Sequence, residues 1–354
     1  MKANYESILH VNLNLLESNF KFFKKKLDDK TKIIAVVKAF AYGHGDIRIC
    51  KKLEKLNVSY FWVADFEEAV RVRRNNISTP IIVANPGYKN YNLFVKYDLE
   101  PLIFNFKSLN YFNQNEIINC HIKFNTGMNR FGFDTDQKEK IIKYLNQNKN
   151  INVKTICSHL ADSTNKSFTK NQINNFDFIC NFFTKNYNRK IERHLFNSKA
   201  IINFKNKYEL VRLGIGLYGA SSDKGLCQIS TMTSIISQIK KINKGEFVGY
   251  GLNFCSEENI RIGIVPFGYA DGIYTKKNND DYYVYINRKK HKIIGDISMD
   301  SLIIDLEDSK VEIGEKVILF DSKHSIEKVA KSNNSSAYEI LSKLNRRIRR
   351  KYYS

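Results

Sequence analysis

The sequence predicts a (β/α)8 barrel of the TIM type followed by a mainly β domain. The chain has 354 residues, enough for about two domains. In the first two-thirds, short β-branched apolar runs alternate with stretches of helical period, whereas helical periods become rare after about residue 225. We therefore expect a barrel over 8–222 and a β domain over 223–354, with the N-terminal strand 1–7 joining the second domain.

The predicted barrel strands are short apolar runs that end at polar or turn residues. They are 32–37, 60–64, 80–85, 100–104, 119–124, 153–159, 192–196 and 210–215. Helical segments between them include 67–74, 137–146 and 172–183, and Asp65 is a plausible N-cap followed by acidic residues in the first turn. Eight strands alternating with helices over about 210 residues are what the barrel requires, whereas doubly wound sheets usually have fewer strands.

The second domain shows strand-like runs separated by turn signals such as Asn243-Lys244-Gly245 and Asn287-Arg288-Lys289. The predicted strands are 231–242, 261–267, 282–286, 292–297 and 316–320. One helix is predicted over 336–344, which completes a mainly β domain.

Composition excludes several classes of protein. The net charge of +21 is spread along the chain, with dense clusters only at 24–26 and 346–351, so we expect neither a nucleic-acid nor a membrane partner. Only the basic C-terminal tail remains a candidate anion site. The N-terminus lacks a signal-peptide core, which predicts a cytoplasmic protein. The six cysteines form no C-x-x-C pair and no cluster with histidine, so we expect free thiols and no metal.

The most informative segment is Ala-Val-Val-Lys-Ala-Phe-Ala-Tyr-Gly-His-Gly, in which a buried strand leads directly into Lys38. A cation at the end of an apolar strand is costly unless it is neutralised or used. A lysine held there can have a lowered pKa, which suits Schiff-base chemistry. The alternative is a lysine that merely reaches solvent at the end of the strand.

More polar side chains lie at the carboxyl ends of later predicted strands. They are Lys123 on the fifth strand, His159 at the end of the sixth, Asn197 and Ser198 after the seventh, and Arg212 on the eighth. In a barrel these ends meet on one face, where active sites lie and where the last two loops often bind phosphate. Ser198 and the backbone at Gly214 and Ile215 are in position for that. The remaining histidines carry no assignable role, or only support a turn: His10, His44, His121, His194, His291 and His324.

The segment around Lys38 closely resembles the pyridoxal-phosphate attachment motif of alanine racemases. Further family motifs follow in order: Thr126-Gly-Met-Asn-Arg-Phe-Gly, Val211-Arg-Leu-Gly-Ile-Gly-Leu-Tyr-Gly, Val248-Gly-Tyr-Gly, Gly268-Tyr-Ala-Asp-Gly, Ser298-Met-Asp and Ala337-Tyr-Glu. The match spans nearly the whole chain. It implies a barrel that binds pyridoxal 5'-phosphate, a homodimer with shared active sites, and interconversion of L-alanine and D-alanine for peptidoglycan.

The resemblance also implies roles for individual residues. Lys38 would hold the cofactor and act as one catalytic base, and Tyr250 from the partner subunit would be the second. Arg212 would face the pyridine nitrogen, and His159 would connect it to Tyr250. The rest of the cofactor, including its phosphate, would be held by Tyr42, Asn197, Ser198, Gly214, Ile215 and Tyr338.

Four further residues complete the implied site. Arg130 would contact the phenolic oxygen of the cofactor and the substrate, oriented by Lys123, which is carbamylated in many relatives. Met299 would contact the substrate carboxylate through its backbone, across the dimer. Tyr269 would narrow the entrance. The resemblance implies no metal.

The chain departs from the family pattern at several positions. Phe40, Asn129 and Ser301 stand where Asn, Gly and Gln are common. Thr275 and Asp296 occupy positions that are commonly arginine and line the approach to the site. Losing two cations and gaining an anion would favour a substrate with a cationic side chain. A broad-specificity or basic amino-acid racemase is therefore the alternative function.

Other classes of function fit less well. Decarboxylases with this type of barrel use a carboxylate at the pyridine nitrogen, and Arg212 argues against that activity. A barrel that only binds the cofactor would not need the long β domain or Tyr250. A nucleic-acid-binding module rests on net charge alone.

Overall fold

Eight parallel strands, β2 to β9, close into a barrel in chain order, which confirms the predicted fold class. The structure is a computed structural model that describes residues 6–221, 223–273 and 282–354. The barrel strands are β2 (Lys32–Val36), β3 (Tyr60–Asp65), β4 (Ile81–Asn85), β5 (Leu99–Ile103), β6 (Ile118–Lys123), β7 (Ile151–Cys157), β8 (Glu192–His194) and β9 (Leu210–Leu213). Pairing of β9 with β2 closes the barrel.

The barrel belongs to one of two compact units. This barrel unit comprises Phe20–Ala41 and Asp46–Gly216, and the sheet unit comprises the chain before Phe20, Tyr42–Gly45 and the chain from Leu217 onward. In the barrel, Ile34, Tyr60, Ile82 and Leu210 form a buried cluster from four strands. The strands are apolar on both faces, as expected where helices cover a parallel sheet.

The helices follow the expected alternation with strands. They are α1 (Leu13–Lys24), α2 (Asp46–Glu54), α3 (Phe66–Arg73), α4 (Tyr91–Lys96), α5 (Phe106–Phe112), α6 (Lys138–Gln147), α7 (Lys166–Asn186), α8 (Ser198–Asn203), α9 (Ile326–Ser332) and α10 (Ala337–Lys343). Asp65 caps α3 by accepting the Glu68 backbone N–H, as predicted. Helix α7 is longer than the predicted 172–183, because it begins six residues earlier at the Asn165 cap.

The sheet unit contains a nine-stranded sheet in the order β11-β12-β15-β14-β13-β16-β10-β1-β17. Its strands are β1 (Ile8–Asn12), β10 (Ser230–Ile235), β11 (Gln238–Ile242), β12 (Ile260–Val265), β13 (Tyr283–Ile286), β14 (Lys289–Ile294), β15 (Leu302–Asp305), β16 (Lys316–Phe320) and β17 (Arg349–Tyr353). A buried cluster of Val248, Ile262 and Ile294 forms part of its core. The sheet agrees with the predicted mainly β domain.

Three details of the sheet differ from the sequence expectation. The sequence assigns residues 8–12 to the barrel domain and a strand to 1–7, whereas the structure has strand β1 at Ile8–Asn12, paired with β10 and β17. The predicted strand 231–242 is two strands, because the chain breaks at buried Ile236 and sends β11 to the far edge. The basic tail, expected only as an anion site, forms β17, whose backbone pairs with β1.

The described part of the chain has no helix with both the length and the apolar character needed to cross a bilayer. All six cysteines are free thiols, although Cys227 and Cys255 are exposed. In the same described residues, no three His, Cys, Asp or Glu side chains cluster as metal ligands would.

Candidate active site

Lys38 lies two residues beyond the end of β2, at the carboxyl end of the barrel strands. Its side chain is half-buried. Burial lowers the pKa of the Lys38 amino group, the positive charge of Arg130 lowers it further, and Glu68 acts in the opposite direction. A lysine with a lowered pKa is more often uncharged at neutral pH, so its nitrogen is available to attack a carbonyl carbon.

A left-handed turn follows Lys38. The residues from Ala39 to Tyr42 all have φ between 51° and 55°, and each such residue costs roughly 1–2 kcal/mol when it is not glycine. Within the barrel unit, Ala41 N–H donates to the Val37 carbonyl at 2.9 Å. Strain of this kind is retained only where neighbouring groups hold the backbone in place.

The Glu68 carboxylate holds the start of this turn. Its two oxygens accept the backbone N–H groups of Ala39 at 2.6 Å and Ala64 at 2.8 Å. Glu68 is 9% exposed, and burial raises its pKa. From the sequence, Glu68 is only an acidic residue in the first turn of α3. No local pattern indicates that its side chain turns back to the end of β2.

Arg212 on β9 is 4% exposed and held on all sides. One terminal nitrogen donates to the carbonyls of Ser158 and Leu195, both at 2.8 Å, and lies 3.2 Å from His159 Nδ1. The other donates to His194 Nδ1. The guanidinium also lies 5.6 Å from the Trp62 ring. These contacts fix the guanidinium in position, which a cation needs in order to bind a ligand in one orientation.

His159 and His194 both contact Arg212. Burial lowers the pKa of each imidazole well below its ordinary value, and the charge of Arg212 adds to the effect. Both rings are therefore neutral and can accept a hydrogen bond from the guanidinium. Sequence reasoning predicted His159 but missed His194, because nothing in a strand sequence indicates which neighbour a buried imidazole contacts.

Lys123 ends β6 and is 7% exposed. Burial lowers its pKa to about 8, with further contributions from Arg212, Arg130 and Lys38. The loop after Lys123 is ordered by the Asn125 side chain, whose oxygen accepts the N–H of Asn129 at 3.0 Å. Asn129 itself is left-handed, with φ 55°. Exposed Arg130 follows it.

The structure brings together the three residues predicted to bind phosphate in the barrel. Ser198 Oγ accepts the N–H of Gly214 at 3.1 Å, and Ile215 follows Gly214 in the chain. A side chain at Gly216 would lie 2.5 Å from the Phe23 ring, so only glycine fits this close approach. The predicted site residue Asn197 acts as the N-cap of α8, where its oxygen accepts the Ala200 N–H at 2.9 Å.

The remaining predicted site residues lie in the sheet unit. Tyr42 and Tyr338 have ring centroids 5.9 Å apart, and burial raises the pKa of both phenols. Tyr269 and Met299 lie together, because Tyr269 N–H donates to the Ser298 carbonyl at 3.0 Å.

Tyr250 is 72% exposed on this unit. It precedes Asn253, whose side chain donates to Asp296 at 2.7 Å. Thr275 lies outside the described residues.

Comparison with known proteins identifies both halves of the chain. The family model for the alanine racemase N-terminal domain matches residues 11–222, and the model for the C-terminal domain matches 229–352. An alanine racemase of Borreliella burgdorferi strain ZS7 is 34% identical over 97% of this chain and 96% of its own length.

Solved structures agree with these matches. The alanine racemase of Clostridium difficile 630 superposes with a TM-score of 0.92 at 29% identity, covering 99% of this chain and 97% of that one. An alanine racemase from Bartonella henselae with covalently bound pyridoxal phosphate has a TM-score of 0.90 at 26% identity, covering 99% of this chain and 100% of that one.

The bonds of Glu68 predict a loss of stability when its charge is removed. In Glu68→Gln, the amide can accept only one of the two backbone N–H groups, so the other is left unpaired in a buried place. We expect the free energy of unfolding to fall by about 1–3 kcal/mol. Glu67→Gln, the same change on an exposed neighbour, should alter it by less than about 0.5 kcal/mol. Equal urea midpoints for the two variants would show that Glu68 does not hold the turn.

Buried His194 predicts that stability falls in acid. The folded protein keeps His194 neutral, whereas the unfolded chain protonates it below about pH 6.5. The unfolded state then binds more protons, so the free energy of unfolding decreases by up to about 1.4 kcal/mol per pH unit as the pH falls. In His194→Gln, urea unfolding between about pH 7.5 and 5 should show a shallower decrease. An unchanged slope would mean that His194 is charged in the folded protein.

Proposed function

This chain belongs to the alanine racemase family, and from that we propose that it interconverts L-alanine and D-alanine by a two-base mechanism with pyridoxal 5'-phosphate. The observation that carries the proposal is Lys38, a half-buried amine of lowered pKa at the carboxyl end of the barrel. The reaction supplies D-alanine for peptidoglycan in the cytoplasm.

The described residues of the barrel unit fit this cofactor. Lys38 offers a primary amine for its aldehyde. Ser198 Oγ accepts the Gly214 N–H and still has its own hydrogen to donate to phosphate, and Ile215 adds the next backbone N–H in the same loop. Arg212 offers a donor for the pyridine nitrogen. Tyr42 and Tyr338 are proposed to help hold the phosphate of the cofactor, as the family resemblance implies. When bound, pyridoxal phosphate withdraws electrons from the α-carbon of an attached amino acid and makes its proton acidic.

Two residues of the protein move this proton. Lys38 Nζ removes or returns it on one face of the α-carbon, and the phenolic oxygen of Tyr250 does so on the other. Arg212 hardly gives up a proton, so it would hydrogen-bond to the ring nitrogen of the cofactor without protonating it. The bound cofactor would then withdraw fewer electrons, which would favour return of the proton to the α-carbon over transamination.

Tyr250 reaches the site from a partner subunit in this proposal. Its side chain is 72% exposed, and nearby in the sequence Phe247 and Leu252 are 53% and 65% exposed. Met299, proposed to meet the substrate carboxylate across the dimer with Tyr269 at the entrance, is 54% exposed. Exposed apolar side chains of this number are typical of an interface, which supports a homodimer with shared active sites.

Lys123 is proposed to carry a carbamate. Carbon dioxide reacts with an uncharged amine, releasing one proton, and a pKa of about 8 leaves part of Lys123 uncharged at neutral pH. The product is an anion close to the charges of Arg130 and Arg212, which would stabilise it. A carbamate would orient Arg130 towards the cofactor and the substrate.

Exchange of the α-proton with deuterated water tests the two bases. In Tyr250→Phe, we expect exchange from one enantiomer of alanine to fall by about 10²–10⁴-fold, because a missing general base costs that much. Exchange from the other enantiomer should fall far less. Lys38→Ala should lose exchange from both, together with the visible absorption of the bound cofactor. Equal exchange in Tyr250→Phe and the wild type would exclude Tyr250 as a base.

Mixing the two variants distinguishes a shared site from a site within one chain. We expect that neither Lys38→Ala nor Tyr250→Phe alone racemises alanine at an appreciable rate. Refolded together in equal amounts, half of the dimers are mixed, and each has one site with both changes and one with neither. About a quarter of wild-type activity should return. No recovery in verified mixed dimers would place both bases in one chain.

Asp296 favours the alternative function, a racemase of broad or basic specificity. Its carboxylate accepts from Asn253, and a side chain at Gly251, the residue after Tyr250, would lie 3.4 Å from Asp296 Oδ2, so Asp296 lies close to the backbone that carries the proposed second base. We expect kcat/KM to fall more for lysine than for alanine or serine in Asp296→Asn, because the change removes an anion that attracts the lysine side chain. Strict preference of the wild type for alanine would exclude this alternative.

A further inference from the structure

The barrel interior contains a row of five buried polar side chains, of which the proposed reaction uses only Arg212. Five neighbouring strands, β5 to β9, each supply one: Glu100, His121, Thr155, His194 and Arg212. Glu100 is 5% exposed, Arg212 is 4% exposed, and the other three are fully buried. Polar groups are costly in such a place unless each finds a hydrogen-bond partner.

These five side chains form one continuous series of hydrogen bonds, which we call the relay. Glu100 Oε2 lies 2.7 Å from His121 Nε2, and His121 Nδ1 lies 2.7 Å from Thr155 Oγ1. Thr155 Oγ1 lies 3.1 Å from His194 Nε2. His194 Nδ1 accepts from Arg212, which also contacts His159. A carboxylate is thus linked through three side chains to the guanidinium at the candidate active site.

Because Arg212 can only donate, it determines which atom donates in every hydrogen bond of the relay. A guanidinium only donates, so His194 Nδ1 must accept and its proton must lie on Nε2. That proton is donated to Thr155, whose hydroxyl then donates to His121 Nδ1. The remaining proton of His121 lies on Nε2 and is donated to Glu100. Both imidazoles are therefore neutral, with tautomers assigned from their bonding.

The opposite direction is excluded by the same bonds. If His121 were doubly protonated, it would donate to Thr155. If Thr155 also accepted from His194, its own hydrogen would have no partner among the described hydrogen bonds. If Thr155 instead donated to His194 Nε2, His194 would carry its proton on Nδ1, pointing at an N–H of Arg212. Two donors would face each other in a fully buried place, which costs the hydrogen bonds of both. One protonation pattern alone satisfies all five groups.

We propose that Glu100, His121 and Thr155 are positioning residues: they hold the Nε2 proton of His194 and so orient the ring whose Nδ1 fixes Arg212 against the cofactor's ring nitrogen. The inference rests on the proposed function for its catalytic consequence and on geometry for the relay itself. Each hydrogen bond in the relay polarises the next, so the Glu100 carboxylate makes His194 Nδ1 a stronger acceptor for the Arg212 guanidinium.

The surroundings leave the relay few other partners. The Tyr60 ring lies edge-on to His121 at 5.5 Å, and Trp62 lies edge-on to His194 at 5.9 Å. Asn119 donates to the second oxygen of Glu100 at 3.4 Å. The titratable groups whose charges act on His194 include Arg212, His121, His159 and Lys123. Thr155 is the only described link between the two imidazoles, so removing its hydroxyl divides the relay.

Thr155→Val divides the relay while preserving shape, and the chain offers a matched control. Thr169 is also fully buried in the barrel unit, but its hydroxyl donates to the Asp162 carbonyl at 2.9 Å, outside the relay. Thr155→Val should lower kcat about tenfold with little change in KM. It should also shift the pH profile of kcat and of the bound cofactor's absorption, and raise the ratio of transamination to racemisation.

Thr169→Val should leave all of these properties unchanged, although both valine variants lose stability. Thr155→Ser keeps the hydroxyl and should restore wild-type values. Glu100→Gln keeps an acceptor for His121 but removes the charge, so a smaller shift of the same pH profile is expected. If Thr155→Val does not fold, Glu100→Gln still tests the positioning role. If Thr155→Val or, when it does not fold, Glu100→Gln matches the Thr169→Val control in kcat, pH profile and transamination ratio, the positioning role is excluded.

Nitrogen-15 NMR of the histidine rings tests the relay independently of catalysis. In the wild-type holoenzyme, His121 and His194 should both be neutral with the proton on Nε2. In Thr155→Val, the Nε2–H of His194 loses its acceptor, so the resonance of that nitrogen should shift, whereas Thr169→Val should leave it in place. A wild-type His194 protonated on Nδ1 would overturn the relay. If the tautomers are as expected but the protein neither binds pyridoxal phosphate nor racemises alanine, the proposed function fails and the relay remains.

Discussion

The buried charge of Arg212 is the constraint on which the rest of the barrel interior depends. A cation removed from water must be surrounded by acceptors, and unmet donors there are expensive. Its hydrogen bonds go to uncharged groups: the carbonyl oxygens of Ser158 and Leu195 and the imidazoles of His159 and His194. Because each imidazole has one accepting nitrogen only when it is neutral, the guanidinium determines the protonation of both histidines. Buried Arg212 inside the barrel therefore determines the protonation state of the histidines near the carboxyl ends of the strands.

The backbone after Lys38 shows a second constraint, in which local strain is held by one side chain. Left-handed backbone from Ala39 onward is unfavourable without glycine. Glu68 in α3 accepts the Ala39 N–H at the start of the turn, and its other oxygen accepts the Ala64 N–H of β3, which fixes the carboxylate in place. A sharp turn at this point ends β2 and leaves the lysine amine at the strand end. Burial lowers the pKa of Lys38, and the Glu68 carboxylate partly offsets that effect. Glu68 therefore influences both the position and the basicity of the amine.

The sequence predicts the barrel and the polar strand ends because both are local properties. An apolar run that stops at Lys38 or Lys123 can be recognised without knowing its neighbours. Glu100, His121 and Thr155 could not be assigned in this way, because their partnership depends on the register between β5, β6 and β7. The break at Ile236 was missed for a related reason. An apolar run fits one long strand as well as two, and only the pairing partners of β10 and β11 decide between them.

Tyr250 poses a different physical problem from the buried residues. A base that acts on one face of a planar carbon must approach within hydrogen-bond distance of that carbon and exclude bulk water. A phenol that is 72% exposed does neither in the isolated chain. Lys38, by contrast, is already half-buried beside the charges that adjust its pKa. The two proposed proton carriers thus differ in how they are shielded from water. Folding of the barrel is enough to bury Lys38, whereas Tyr250 requires another surface to cover it. An enzyme built in this way links its catalytic competence to association, because a protomer that remains alone lacks an enclosed second base.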